Sequence, residues 1–398
     1  MSILRATSAA EPHHRNRAGR EPAVIQGDVI VLFLLIGVCI WIWHAAFRKT
    51  PELEAPHGFL QRQLDACPFT IRQINRTTFL IRELDRFDEN PNIYVKKHTE
   101  ILADGRTVNL LIVNDTGCGT SVSSKLSRTG QWNIRTFIDH HLNPSSSIPY
   151  LVILSHCHYD HILGLNPILR PTHMTHSTRT LIVSSGYDPS FIAPSNLRKH
   201  SLCADLGLRL PPYHTSVWAQ HAQSLDVVHP KLGAHMQLPI ITLHTPGHTP
   251  DSLSWYDADE RALYVGDAFY ETPAQILFPS EGNLKEWWRS VDMLIAFVQE
   301  RNEAGTSTVT LSAGHVTAGV DALDCLLGVK EFMVRVLRNE VQFEEEPMKR
   351  GERFGSWREE GGRFSLGAPL RLIEEGRKAI LEREWREWKI GVTSSAVR

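Results

Sequence analysis

The run His156-Cys157-His158-Tyr159-Asp160-His161 constrains this 398-residue chain more than any other feature. It follows Tyr150-Leu151-Val152-Ile153-Leu154, an apolar stretch that reads as a buried strand. A strand end fixes the backbone, so one loop delivers three imidazoles and a carboxylate from a defined point. Imidazole nitrogen and carboxylate oxygen are the preferred non-thiolate donors for zinc. Alternate residues of an extended segment share a side, so His156 and His158 can grip one ion. Asp160 and His161 come after the chain has turned and can reach a second. The plain alternative is a polar surface loop, and the density of donors argues against it.

Three more donors repeat the pattern. His248 follows a strand ending at Leu243, Asp267 ends the next strand, and His315 ends the last. Gly247, Gly266 and Gly314 immediately precede them, and a glycine lets backbone approach closely. Seven donors suit two ions rather than one. With Asp267 bridging, His156, His158 and His248 complete one site, and Asp160, His161 and His315 the other. Metal lowers the pKa of bound water to about 7, so a hydroxide between two ions is a nucleophile at neutral pH.

Composition narrows the class. Hydrophobic residues make up 42% and charged residues 22%, as in an ordinary folded protein, and the net charge of -2 argues against a nucleic-acid partner. The six cysteines (Cys39, Cys67, Cys118, Cys157, Cys203 and Cys325) form no CxxC pair, which argues against a zinc ribbon or a dithiol redox site. Cys157, between two donor histidines, is expected to point away from the metal.

The first fifty residues read differently. Residues 1–23 are polar and expected to be disordered. Residues 29–47 carry no formal charge, and their length matches a bilayer core of roughly 30 Å at about 1.5 Å per residue. Trp41, Trp43, Arg48 and Lys49 suit an interfacial anchor. A single-pass membrane helix is therefore expected, against the alternatives of a core helix or a cleaved signal peptide. A slight excess of arginine before the span favours a cytosolic N-terminus and a lumenal or extracellular catalytic domain. The sequon Asn75-Arg76-Thr77 fits that side.

Residues 51–58 read as a linker, and a catalytic domain is expected over 59–322. Short β-branched and aromatic runs predict strands near Phe69, Thr78, Asn92, Asn109, Ile240, Ala262 and Thr308, with helices over Ile134 to Leu142 and Asn283 to Gln299. A C-terminal extension over 323–398 reads as mainly helical, with Ile380, Leu381, Trp385 and Trp388 at helical spacing and Glu344-Glu345-Glu346 as a solvated loop. His173, His176, His200, His214, His221, His229, His235 and His244 lack strand-end spacing and read as surface or capping residues. The long irregular segment from His173 to His235 is a candidate lid, with Tyr213 or Trp218 lining the pocket.

Over roughly Phe69 to Val320, through its HxHxDH signature at His156 to His161, the chain resembles the metallo-β-lactamase-fold superfamily. The resemblance implies an α/β (α+β) fold, a four-layer αββα sandwich with a dinuclear site at one edge between the sheets. It implies metal-ligand roles for His156, His158, Asp160, His161, His248, Asp267 and His315. Asp115 falls on an earlier motif whose aspartate supports the histidine loop; the plain alternative is a turn-forming aspartate before Gly117. True β-lactamases of the commonest subclass carry cysteine where this chain has Asp267. A bridging aspartate is similar to glyoxalase II-like thioesterases and lactonases. Tyr270, three residues later, matches a lactonase tyrosine able to donate to an oxyanion, and otherwise reads as a core residue. Ile162-Leu163-Gly164 departs from the two glycines of many relatives, and the overall texture resembles fungal metallo-β-lactamase-like proteins.

The expected function is a hydrolase with two zinc ions per chain, cleaving a small-molecule ester, thioester or lactone, with Asp160 passing a proton to the leaving group. The alternatives are an iron-dependent redox member of the superfamily and a non-enzymatic, membrane-tethered binding protein.

Overall fold

The computed structural model describes residues 67–381, apart from 103, 128–129, 171–179 and 306. The polar N-terminus, the expected membrane helix at 29–47, the linker, His173, His176, Trp385 and Trp388 lie outside the described residues. Among the described residues no helix is long and apolar enough to cross a membrane.

The chain begins with β1 (Phe69–Gln73), β2 (Thr78–Glu83), β3 (Asn92–Ile101) and β4 (Thr107–Asn114), then a short hairpin of β5 (Val122–Ser123) and β6 (Gln131–Trp132). Helix α1 (Ile134–Leu142) follows, capped by Asn133, whose side chain accepts from the Thr136 amide at 3.0 Å. Next come β7 (Tyr150–Ile153), α2 (Tyr159–Ile162), α3 (Leu165–Leu169), β8 (Leu181–Ser185), α4 (Pro194–His200) and β9 (Val217–Ala219). These strands form a seven-stranded sheet, β1-β2-β3-β4-β7-β8-β9, antiparallel up to β4 and parallel beyond it.

A second, six-stranded sheet holds β10 (Gln223–Val228), β11 (His235–His244), β12 (Leu253–Asp257), β13 (Ala262–Tyr264), β15 (Thr310–Ser312) and β16 (Ala318–Asp321). The remaining strand of this region, β14 (Ile276–Leu277), joins a third sheet described below. Helices α5 (Leu284–Ala304) and α6 (Ala322–Leu337) flank β15 and β16 in sequence.

Period-two alternation builds the layers. On β3, β4 and β7, Ile93, Val95, Leu111, Val113, Tyr150 and Val152 pack against Phe137 and Ile138 of α1. Their neighbours Tyr94, Leu110, Ile112, Leu151 and Ile153 face the second sheet at Leu238, Ile240, Trp255 and Tyr264. Trp255 stacks on Tyr264 at 4.1 Å between ring centroids. The outer face of the second sheet, with Tyr256, Leu263 and Leu311, packs against Val291 and Leu294 of α5 and Val329 and Met333 of α6. Helix, sheet, sheet and helix are thus stacked around three cores. Each large apolar side chain buried there stabilises the fold by about 1.5–3 kcal/mol.

The C-terminal region corrects the helical expectation. Among its described residues, only α6 and α7, over residues 370–381, are helical. Between them lie β17 (Phe343–Lys349), β18 (Glu352–Arg358) and β19 (Ser365–Pro369), and β19 pairs with β14 to make a four-stranded sheet β14-β19-β18-β17. Glu344, Glu345 and Glu346 lie on strand β17 rather than in a loop, though Glu344 and Glu345 are solvated as expected. The reason is pairing. Arg350 (φ 50°) and Gly351 (φ 81°) form a two-residue turn, a geometry that matches strand twist and folds β17 back on β18. The region packs on the rest of the domain, with Trp357, Leu366, Leu372 and Ile380 sharing one core with α5 and α6.

Candidate metal centre

All seven expected donors are buried and gather in two adjoining groups: His156, His158 and His248, and Asp160, His161, Asp267 and His315. Within each group the donor atoms lie within 4.8 Å of one another. Both sheets deliver them. His156 and His158 follow β7, while Asp160 and His161 sit on the single turn of α2. His248, Asp267 and His315 follow β11, β13 and β15. Gly314 is demanded by the crowding, since a Cβ there would stand 2.1 Å from Asp267 Oδ1.

In the first group His156 Nε2 lies 2.9 Å from His158 Nδ1, and His248 Nε2 lies 3.0 Å from the same atom. In the second, His161 Nε2 is 3.1 Å from Asp160 Oδ2 and 3.4 Å from Asp267 Oδ1. His315 Nε2 is 3.3 Å from Asp160 Oδ2 and 3.4 Å from Asp267 Oδ2. A tetrahedral ion with bonds of about 2.0–2.1 Å spaces its ligands roughly 3.3 Å apart. His161 Nε2 and Asp267 Oδ1, facing each other at 3.4 Å, are both cut off from solvent and lack a hydrogen-bond partner. Buried polar atoms are ordinarily satisfied. These distances, these orphaned atoms and this donor chemistry fit metal ions.

The opposite edges of the imidazoles are held. His156 Nδ1 is 3.0 Å from Ser155 Oγ, His248 Nδ1 is 2.7 Å from the Leu277 carbonyl, and His315 Nδ1 is 2.9 Å from the Glu89 carbonyl. His161 Nδ1 is 3.0 Å from Asp115 Oδ2, while Asp115 Oδ1 accepts from the Ser155 amide at 2.7 Å. Asp115 therefore ties the second group to the strand end that bears the first. Such outer bonds fix the tautomer and ring orientation of a ligand.

Charge divides the two groups. Burial holds His156 and His248 below the ordinary imidazole range and takes His158 down to about 3, so all three are neutral donors at pH 7. Burial also opposes charge on His161 and His315, but the carboxylates around them outweigh it, lifting His161 well up and His315 to about 10. Asp160 and Asp267, penalised by burial, are nevertheless held well below the carboxylate range by these histidines.

A cavity of about 190 Å³ opens beside the donors. Tyr270 lines it, its ring 5.1 Å from that of His315, and burial raises the phenol well above its usual range, as do Asp267 and Asp160. Cys157 turns away, as expected, into an apolar cluster with Phe191, Ile192 and Leu197. The lid expectation fails for Tyr213 and Trp218, which line no part of this cavity. Tyr213 instead packs beside Leu210, and Trp218 lies on β9 and is largely solvent-facing. His200 stacks on Phe191, His229 bonds the Asn109 carbonyl, and His244 bonds the Ala219 carbonyl, all far from donor roles. Sequence reasoning missed Glu89, which lines the cavity and accepts from Tyr159 Oη, and missed the wall made by Lys349, Arg350 and Phe354. The Arg350-Gly351 turn between two alternating runs was the available signal for that wall.

Residues 111–301 match the family model of the metallo-beta-lactamase superfamily. The matched segment is a metallo-β-lactamase superfamily domain. A curated relative from Aspergillus versicolor, "Putative transcription factor avaE", is 29% identical over 285 residues, covering 69% of this chain and 77% of its own. Among solved structures, the metallo-beta-lactamase FIM-1 from Pseudomonas aeruginosa in its mono-zinc form is 15% identical, with a TM-score of 0.42. The match covers 67% of this chain and 97% of that one. A metallo-beta-lactamase from Pontibacter korlensis is also 15% identical, with a TM-score of 0.41 and coverage of 66% and 98%. Beside the metallo-β-lactamase fold, then, stand two donor sets suited to metal and an adjoining cavity.

Proposed function

We propose that the chain is a dinuclear, zinc-dependent hydrolase of an ester, thioester or lactone. One observation carries the reading: two buried donor sets, one wholly imidazole and one rich in carboxylate, adjoin at a cavity into which Tyr270 faces. His156, His158 and His248 would hold one ion and Asp160, His161 and His315 the other, with Asp267 between them. Ions there would supply Lewis acidity and lower the pKa of water to about 7. Tyr270, held as a neutral phenol, can donate to a developing oxyanion. Asp160, ionised at rest, would first take a proton from the attacking water and then hand it to the leaving group. A transcription-factor reading, taken from the avaE name, leaves the seven gathered donors without a role.

The test is metal analysis paired with turnover. Metal-loaded protein should hold about two zinc ions per chain and hydrolyse aryl esters, thioesters or lactones, with activity lost on chelation and restored by zinc. Iron in place of zinc, with oxygen consumed and no carbonyl cleaved, would establish the redox reading instead. The apolar stretch at 29–47 is proposed to tether this activity to a membrane. Release of the full-length chain from membranes by alkaline carbonate would refute the tether.

A further inference from the structure

The cavity has a wall that comes from outside the family-matched segment. Its floor is the donor set, and its sides include Leu202, Leu277, Phe278 and Tyr270. The β17–β18 hairpin closes the remaining side with Lys349, Arg350 and Phe354, all beyond residue 301.

Arg350 fastens that wall. Its Nε lies 2.8 Å from Asp205 Oδ2, and its two terminal nitrogens donate to Glu281 at 3.0 and 3.3 Å. Asp205 follows the segment bearing Leu202, and Glu281 follows Pro279 and Ser280, so one guanidinium ties together three segments that line the cavity. A planar fork can hold two carboxylates at once in a way an ammonium cannot. Lys349 in turn pairs with Glu346 at 2.7 Å and lies over the Phe354 ring at 4.1 Å. Both cations at the rim are thus already matched by acids. The mouth is not an anion receptor, and the interior behind it is largely apolar.

Size follows from volume. An enclosed apolar cavity of about 150 Å³ accommodates benzene, and this one, open at its mouth and including the space beside the donors, measures about 190 Å³. We propose that the cavity takes an apolar acyl group of about the size of a benzene ring, and that the C-terminal hairpin, latched by Arg350, sets that limit. The inference rests on the hydrolase reading for its turnover arm, and its binding arm stands apart from turnover.

The experiment uses the full chain loaded with zinc and three probes: 4-nitrophenyl acetate, benzoate and dodecanoate. Wild type should prefer benzoate over acetate in kcat/KM by roughly tenfold or more, the scale expected for burying a ring, and should discriminate against dodecanoate. Arg350→Met should keep its zinc, raise KM for the benzoate ester more than it lowers kcat, and gain relative activity on dodecanoate. Arg350→Lys should fall between. Hydrogen exchange should quicken in the Arg350→Met variant at 201–208 and 279–282, beyond the hairpin itself. Phe354→Ala, which enlarges the cavity without touching the latch, should also lose the benzoate preference. Equal use of acetate and benzoate by wild type, or an unchanged size profile and unchanged exchange in Arg350→Met, overturns the inference. If no ester is cleaved, the hydrolase reading fails on its own. Calorimetric binding of free benzoate against free acetate then decides this one, with equal affinities overturning it.

Discussion

The two donor sets sit side by side yet solve opposite electrostatic problems. The second balances its charge internally, because His161 and His315 are raised and Asp160 and Asp267 depressed at 3.1–3.4 Å, although His161 Nε2 and Asp267 Oδ1 still lack a hydrogen bond. The first has no carboxylate. His158 Nδ1 faces both His156 Nε2 and His248 Nε2 at about hydrogen-bond distance, and one proton cannot satisfy three converging nitrogens. Its neutrality suits it to a cation and leaves it poorly compensated without one. The first set is therefore the half that depends more on an ion, and His158 Nδ1 is the atom on which it turns.

The largest effect is expected from His158→Ala. Activity should fall to background, and zinc content should drop by roughly half, as the all-imidazole set loses its central donor. Full turnover with full metal content would break the comparison at its root. Metal analysis and ester turnover on one preparation decide it.

Metal removal sharpens the contrast through pH. In the metal-free protein the folded His158 pKa, about 3, lies below the ordinary imidazole value of about 6.5. The unfolded chain then takes up a proton that the folded chain refuses, so stability falls as pH drops from about 6.5 toward 3. His315 is lifted to about 10, so its contribution is complete below about pH 6.5 and is lost as pH rises to 10. Thermal melts of chelated protein should show His158→Ala flattening the acid arm and His315→Gln flattening the alkaline arm. The reverse pattern would mean that the charges have been assigned to the wrong halves.

A smaller and more selective change is expected from Asp115→Asn. An amide can still accept from Ser155, but the group facing His161 Nδ1 then becomes a donor, which drives the imidazole proton to Nε2, the atom needed inside. Metal affinity should fall by about 10- to 100-fold at the second set, with the first ion retained. Loss of both ions together would show that the sets are one cooperative unit.

How far this contrast was legible depended on where its parts are encoded. Side-chain donors at strand ends were readable because the strands before them are runs of four or five apolar or β-branched residues. Helix α1 was readable from its spacing, with the same bounds, Ile134–Leu142. The outer bonds of His248 and His315 end on the carbonyls of Leu277 and Glu89, and a backbone oxygen has no signature in sequence. The C-terminal sheet was missed because acidic Glu344 and Glu345 on exposed β17 read as a solvated loop until β18 is seen to pair with it, while the helical spacing lay farther on, at Ile380 and Leu381. Tyr213 and Trp218 are aromatic and near histidines, but packing placed one against a core and the other exposed on β9.

Tyr270 stands beside the second set and tests whether that half does chemistry as well as holding charge. Its ring meets that of His315, and its phenol is kept protonated first by burial and then by Asp267 and Asp160. A donor acting alone at an oxyanion is worth about 10²–10³ in rate. Shared with bound metal it should be worth less, so Tyr270→Phe is expected to lower kcat by roughly tenfold with KM and zinc content nearly unchanged. The same substitution removes no apolar surface, so the melting temperature should hardly move. An unchanged rate would make Tyr270 a wall of the cavity, and the second set would then act through its ion and its carboxylates alone.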